Sequence, residues 1–202
     1  MISIVDCGIS NLGSIQNMLK KIDVESVVVS TPIELEHATK IILPGVGSFD
    51  QGMTALNESG LSESIKLKID SSIPILAICL GMQLLSKHSE EGLLEGLGII
   101  DAECKRINTP EETNLKVPHM GWNTIHQRKK SLILPNLDED SRFYFVHSYH
   151  VECNNESDIL ATSHYGIEFV SMIQHGNIYG VQFHPEKSHR FGLNLLQEFS
   201  YI

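Results

Sequence analysis

Cysteine is scarce in this 202-residue chain: Cys7, Cys79, Cys104 and Cys153 are the full set, and no two form a C-x-x-C pair. That excludes zinc-ribbon and thioredoxin-type chemistry. So thin a scatter does not make a disulfide scaffold, and a reducing cytoplasm is the expected setting. Cys7, Cys104 and Cys153 read as small buried hydrophobes. Basic residues are also few. Fifteen Lys and Arg against 25 Asp and Glu leave a formal net charge of -10, which argues against a broad nucleic-acid or anionic-membrane footprint. No apolar run is long enough to span a bilayer. Met1-Ile-Ser-Ile-Val-Asp6 lacks the positive region and long apolar core of a targeting segment. No G-K-[ST] loop, G-x-G-x-x-G turn or H-E-x-x-H helix occurs, so neither a metal nor a cofactor is expected. Repeats, low-complexity tracts and Pro/Gly-rich linkers are absent too. His37, His88 and His126 read as surface residues.

The length suits one domain over residues 1–202. Its first half alternates apolar β-type runs with helical periodicity. Ile2–Asp6, Val24–Val29, Lys40–Leu43 and Pro74–Ile78 read as strands, the third cut off by Pro44. Asn11 is a candidate cap for a helix with Leu12, Ile15, Leu19 and Ile22 on one face. Two further helices are expected around Asp50–Asn57 and Leu61–Ser71. The second half changes to strand-like runs at Leu97–Cys104, Thr124–His126, Phe143–Val151, Ile159–His164, Phe169–His175 and Asn177–Phe183. Gly192–Phe199 closes the chain as an amphipathic helix. The predicted class is α/β: a mostly parallel central sheet with helices on both faces and added antiparallel strands in the second half. Arg128-Lys129-Lys130 reads as a solvated turn, with a phosphate or partner contact as the alternative.

The chemistry concentrates in Pro74-Ile-Leu-Ala-Ile-Cys79-Leu-Gly-Met-Gln83, where a buried-type strand meets a helix at a small-x-Cys-x-Gly step. Such a step is the thiol counterpart of the nucleophile elbow. It would expose the sulfur, aim a helix N-terminus at it and leave the Leu80 N–H for an oxyanion. Alone, the pattern fits a core cysteine equally well. His184-Pro-Glu186 follows the apolar run Asn177-Ile-Tyr-Gly-Val-Gln-Phe183. In an extended segment His184 and Glu186 would point to one side, the carboxylate orienting a ring that exchanges protons with Cys79. By themselves these residues read as a surface turn; the strand before them places the histidine where open α/β sheets bind ligands. Pro44-Gly-Val-Gly47 is a tight turn or a second oxyanion donor.

Taken together, Asp6 through Asn11, Pro44-Gly-Val-Gly-Ser-Phe49, Gly81-Met-Gln83 and His184-Pro-Glu-Lys187 resemble the class I (triad) glutamine amidotransferases along essentially the whole chain. Lys116-Val-Pro-His-Met-Gly-Trp-Asn123 and Phe145-Val-His-Ser-Tyr149 are similar to the glutaminase subunits of imidazole glycerol phosphate synthases within that family. The resemblance implies Cys79 as nucleophile, His184 as acid/base and Glu186 as its orienting partner. It implies an oxyanion hole from Leu80 and the Val46-Gly47 backbone, and L-glutamine held by Gln83, His147, Ser148 and Tyr149. It also implies a heterodimer with a (β/α)8-barrel synthase, the cyclase that receives the ammonia. Pro118, Met120, Trp122 and Asn123 would face that barrel, with Asn11 and Tyr144 as weaker candidates; a core position for Trp122 is the alternative. Cys7 stands where relatives commonly carry an aromatic residue, and His189 and Phe191 where simpler serine-containing versions are familiar. A paralogous subunit feeding a sugar-modifying enzyme of surface-polysaccharide synthesis therefore stays open. So do a non-catalytic stabilising subunit and a stand-alone γ-glutamyl hydrolase. The isolated chain is expected to be weakly active until a partner selects the competent Pro44–Gly47 conformation.

Overall fold

All four residues of β1 (Ile2–Val5) are buried, as befits a strand covered on both faces. It is followed by α1 (Leu12–Lys21), β2 (Ser26–Val29), the single turn α2 (Pro32–Leu35), β3 (Ile41–Gly45), α3 (Phe49–Glu58), α4 (Leu61–Asp70), β4 (Ile75–Cys79) and α5 (Leu80–Leu84). The second half holds β5 (His88–Ser89), β6 (Ala102–Arg106), β7 (His119–Thr124), β8 (His126–Gln127), β9 (Arg142–His147), β10 (Tyr149–Cys153), β11 (Ile159–Tyr165), β12 (Ile167–His175), β13 (Ile178–Val181) and α6 (His189–Tyr201). The computed structural model describes residues 1–8, 10–134 and 140–202. Ile9, part of the Asp6–Asn11 motif, lies outside the described residues.

The spine of the sheet runs β2-β1-β3-β4-β13-β12-β10-β6-β5, with β11 and β8 pairing off it. From β2 to β13 all pairings are parallel. β12 joins β13 antiparallel, and β10 and β6 continue in that sense. The two faces carry separate cores. Leu43 and Ala77 pack with Phe49, Leu56, Leu61 and Ile65 of α3 and α4. Ile42, Leu76 and Ile78 pack with Ile15 and Leu19 of α1 and Leu195, Leu196 and Phe199 of α6. This is the expected α/β class, with helices on both faces.

Several expectations need correction. β3 is not cut off at Pro44 but continues to Gly45, pairing Pro44 with Ile78 and Gly45 with Cys79. The proline is tolerated because β1 pairs only with Ile41 and Ile42, so no β1 partner lies opposite it. Leu97–Cys104 is not one strand. The N–H groups of Leu97, Ile99 and Ile100 instead bond Leu84 O and Leu85 O at the end of α5, and β6 begins at Ala102. Phe143–Val151 breaks at Ser148 into β9, which pairs with β7 in a separate two-stranded sheet, and β10 in the main sheet. β7 also begins five residues before the Thr124–His126 run. The basic cluster binds its own chain: Arg128 pairs with Glu168 at 2.6 Å, and Lys129 donates to Ser157 O and Gln174 O.

Candidate active site

Cys79 ends β4 and starts α5 at φ 54°, ψ -111°. Positive φ is uncommon for a residue with a Cβ, and such strain gathers where a fold must aim a side chain. The effect here is to break strand alternation. By parity Cys79 belongs with Ile75 and Ala77, yet it packs with Ile78 on the other face. Gly81 allows the turn, because a Cβ there would lie 2.0 Å from Leu43 O.

His184 follows β13 and is tied to β9 by its N–H to Tyr144 O at 2.9 Å. Its Nδ1 meets Glu186 Oε1 at 2.7 Å. The expected extended segment is instead a 3-10 turn over Pro185–Lys187, with proline at its first position. The pairing survives because the tight turn brings the carboxylate back under the ring. Buried Ser188 locks it, donating to His184 O at 2.6 Å and accepting from Tyr144 N at 3.0 Å. Both side chains of the pair are nearly sealed from solvent. Burial alone would push the His184 imidazole down, but the Cys79 side chain and then Glu186 outweigh it and carry it up to about 10. His184 therefore holds a proton at neutral pH, with Nε2 free of any hydrogen bond of ordinary geometry and poised to give that proton away.

A cavity of about 530 Å³ opens over the sulfur. Cys79, Leu80, Val46, Gly47, Gln83, His147, Ser148, Tyr149 and His184 line it, as do Asn11 and Pro118. Sequence reasoning thus named most of the wall. Asn11 stands at the α1 N-cap but makes no side-chain cap bond. Glu186 lies behind His184, outside the wall. Glu91 is a lining residue that sequence reasoning missed; its carboxylate accepts from Phe49 N at 2.8 Å across the loop from α3. Only tertiary contact links Glu91 to the cavity, so no sequence signal marked it. Lys187 also lines the cavity and sits 5.7 Å over the Tyr144 ring.

His147 extends inward. Its Nδ1–H donates to Tyr149 O at 2.8 Å, which makes its Nε2 the acceptor for His119 Nδ1–H at 3.0 Å. Burial pushes His147 down to about 3 and His119 to about 4, so both rings are neutral. Cys104 and Cys153 are pushed by burial up to about 12, which suits packing and not attack. Cys7 packs partly buried against the α3 and α4 core and is not part of the cavity wall.

Of the candidate interface residues, Met120, Trp122 and Asn123 lie on β7, Pro118 just before it, Tyr144 on the paired strand β9 and Asn11 at the start of α1. Met120 and Trp122 point outward from β7, 61% and 46% exposed, so Trp122 is not a core residue. Trp122 stacks on His189 at 5.4 Å and meets Tyr144 edge-on. Asn123 turns back, donating to His164 O at 2.9 Å. Among the described residues no group of His, Cys, Asp and Glu is arranged to hold a metal, and no helix is long and apolar enough to cross a membrane.

The sequence model described as "Glutamine amidotransferase class-I" matches residues 3–201. The chain is 50% identical over 200 residues to "Imidazole glycerol phosphate synthase subunit HisH 2" of Methanococcus maripaludis, covering 98% of each. It is 46% identical over 204 residues to "Imidazole glycerol phosphate synthase subunit HisH" of Bdellovibrio bacteriovorus, covering 100% of each. Among solved structures, PurLQS from Thermotoga maritima superposes with a TM-score of 0.78 at 16% identity, over 99% of this chain and 97% of that one, a likeness of fold.

Proposed function

The chain belongs to the class-I glutamine amidotransferase family, and from that premise we propose that it is the glutaminase subunit of an imidazole glycerol phosphate synthase. It forms a single domain over residues 1–202 and works in the cytoplasm. Cys79 attacks the side-chain amide carbon of L-glutamine. The oxyanion is met by the Leu80 N–H and the Val46-Gly47 backbone. The amide nitrogen leaves as ammonia with a proton from His184, and a γ-glutamyl thioester remains. Water, deprotonated by the same ring, then releases glutamate. Glu186 holds the ring in the tautomer this exchange needs. Gln83, His147, Ser148 and Tyr149 hold the amino-acid end of the substrate. Glu91, a carboxylate in the wall, suits its ammonium group.

Free ammonia would take a proton from neutral water and lose its nucleophilicity. The reading therefore includes a sheltered transfer to a (β/α)8-barrel cyclase subunit, which makes imidazole glycerol phosphate and aminoimidazole carboxamide ribonucleotide in histidine biosynthesis. Pro118, Met120, Trp122 and Asn123, with Asn11 and Tyr144, form the face toward it. Full-length identity to subunits of that synthase favours this acceptor over a sugar-modifying one.

The observation that carries the proposal is geometric: His184, its Nδ1 2.7 Å from Glu186 Oε1, lines the same cavity as the Cys79 sulfur. A diazo-ketone analogue of glutamine tests it. One equivalent should attach to Cys79, and Cys79→Ala should abolish glutamate release by the chain assembled with its barrel partner. Label on another residue, or retained turnover in the variant, refutes it.

A further inference from the structure

We propose that Gln182 stabilises the ionised sulfur of Cys79 by donating a side-chain N–H to Sγ, and that Gln83 sets the direction of this donor. The inference rests on the reading of Cys79 as nucleophile. It begins with register. β13 and β4 run parallel with Val181 opposite Ile78, so the next residue along, Gln182, stands beside Cys79. Gln182 is fully buried, and a buried amide needs partners at both of its ends.

The two ends of an amide look alike, so orientation has to come from the surrounding network. Here the network allows one answer. Tyr149 O can only accept, so the Gln83 atom 3.0 Å from it is the nitrogen. The same nitrogen lies 3.1 Å from one end of Gln182. That end must be the oxygen, since two NH2 groups would set donor against donor. The Gln182 nitrogen is then the end facing Cys79 Sγ, at 3.7 Å.

The sulfur therefore has both a donor and an acceptor within reach. Val146 O also lies 4.0 Å away and can take a proton from the neutral thiol. A thiolate has no hydrogen to offer that carbonyl, but it can accept from Gln182. Hydrogen bonding to the charged form favours that form, so the Gln182 donor, held in direction by Gln83, favours the thiolate. Gln83, which the resemblance assigns to substrate, thus also sets the state of the nucleophile.

The test follows alkylation of the Cys79 peptide by iodoacetamide in the full chain, from about pH 5 to about pH 10, by mass spectrometry. Gln182→Met keeps the length of the side chain and removes the donor. Its midpoint should lie about one pH unit above that of the wild type. An unmoved midpoint overturns the proposal and leaves Cys79 as nucleophile. Failure of wild-type Cys79 to react at all overturns the underlying reading instead. Should Q182M melt early because it orphans a Gln83 N–H, the double variant Q83M/Q182M removes both partners and carries the same comparison. In 15N-labelled wild-type protein the Gln182 side-chain amide proton signal should move across the same midpoint; a stationary signal also overturns the proposal.

Discussion

Cys79 is held at φ 54°, a conformation that costs on the order of 1–3 kcal/mol and persists only where its surroundings enforce it. Gly45 and Gly81 are those surroundings: a Cβ on Gly45 would lie 2.9 Å from Gly81 N. What the strain achieves is a sulfur on the same cavity wall as His184. Glu186→Gln keeps the shape of the partner and removes its charge. Its kcat for glutamine hydrolysis in the assembled complex should fall by about 10²–10⁴, with a much smaller change in KM. The His184 ring, raised against burial by the Cys79 side chain and then by Glu186, has a signature in stability. His184 is raised from 6.5 to about 10, so its contribution is full below about pH 6.5 and is lost as pH rises toward 10. Urea unfolding across that window should show wild-type stability declining with pH, and Glu186→Gln should flatten the decline.

Strands and turns decide how such residues meet. β7 and β9 form a ribbon whose inner face carries the His119–His147 bond, with His119 stacked on Phe145 and Tyr165. Both imidazoles are depressed, to about 4 and about 3. Their stabilising neutral forms are fully populated above about pH 6.5, and the contribution is lost as pH falls toward those values. Stability should therefore drop below about pH 6.5, and His119→Gln should lessen the slope measured by urea unfolding. α6 is pressed onto the 3-10 turn of His184-Pro-Glu186, since a Cβ on Gly192 would lie 1.8 Å from Pro185 O. Gly192→Ala should cost about 1–3 kcal/mol in unfolding and lower kcat as well, because the displaced turn carries Glu186.

Across the whole molecule, the cavity and the exposed β7 face are neighbours along the chain: Pro118 lines the cavity, and Met120 and Trp122 lie just beyond it on β7. An apolar pair of this kind is a natural anchor for a partner. Trp122→Ala should weaken binding to the proposed barrel subunit about tenfold or more by calorimetry, while the melting temperature of the isolated chain stays near that of the wild type. Glutamine hydrolysis by the isolated chain should be slow and rise on adding the barrel subunit; full turnover by the chain alone contradicts partner activation.

Local chemistry was sufficient to read the parallel half of the sheet and the helices packed on it, whereas Cys79, His184 and Glu186 stood out as a group only when their motifs were set beside a known family. Apolar runs of strand length, helical periodicity and small residues at a turn are all written within a few neighbours of one another. Folding contributed what depends on contacts distant in sequence. Ser148 splits one strand-like run between two sheets, an event set by which distant strands pair on either side of it and so invisible to local pattern. Glu91 reaches the cavity, and Gln182 the sulfur, through neighbours far along the chain. The orientation of Gln182 is more remote still. It is set by a carbonyl on β10, relayed through an amide on α5, and hydrogen-bond direction of that kind exists only once all three elements are packed together.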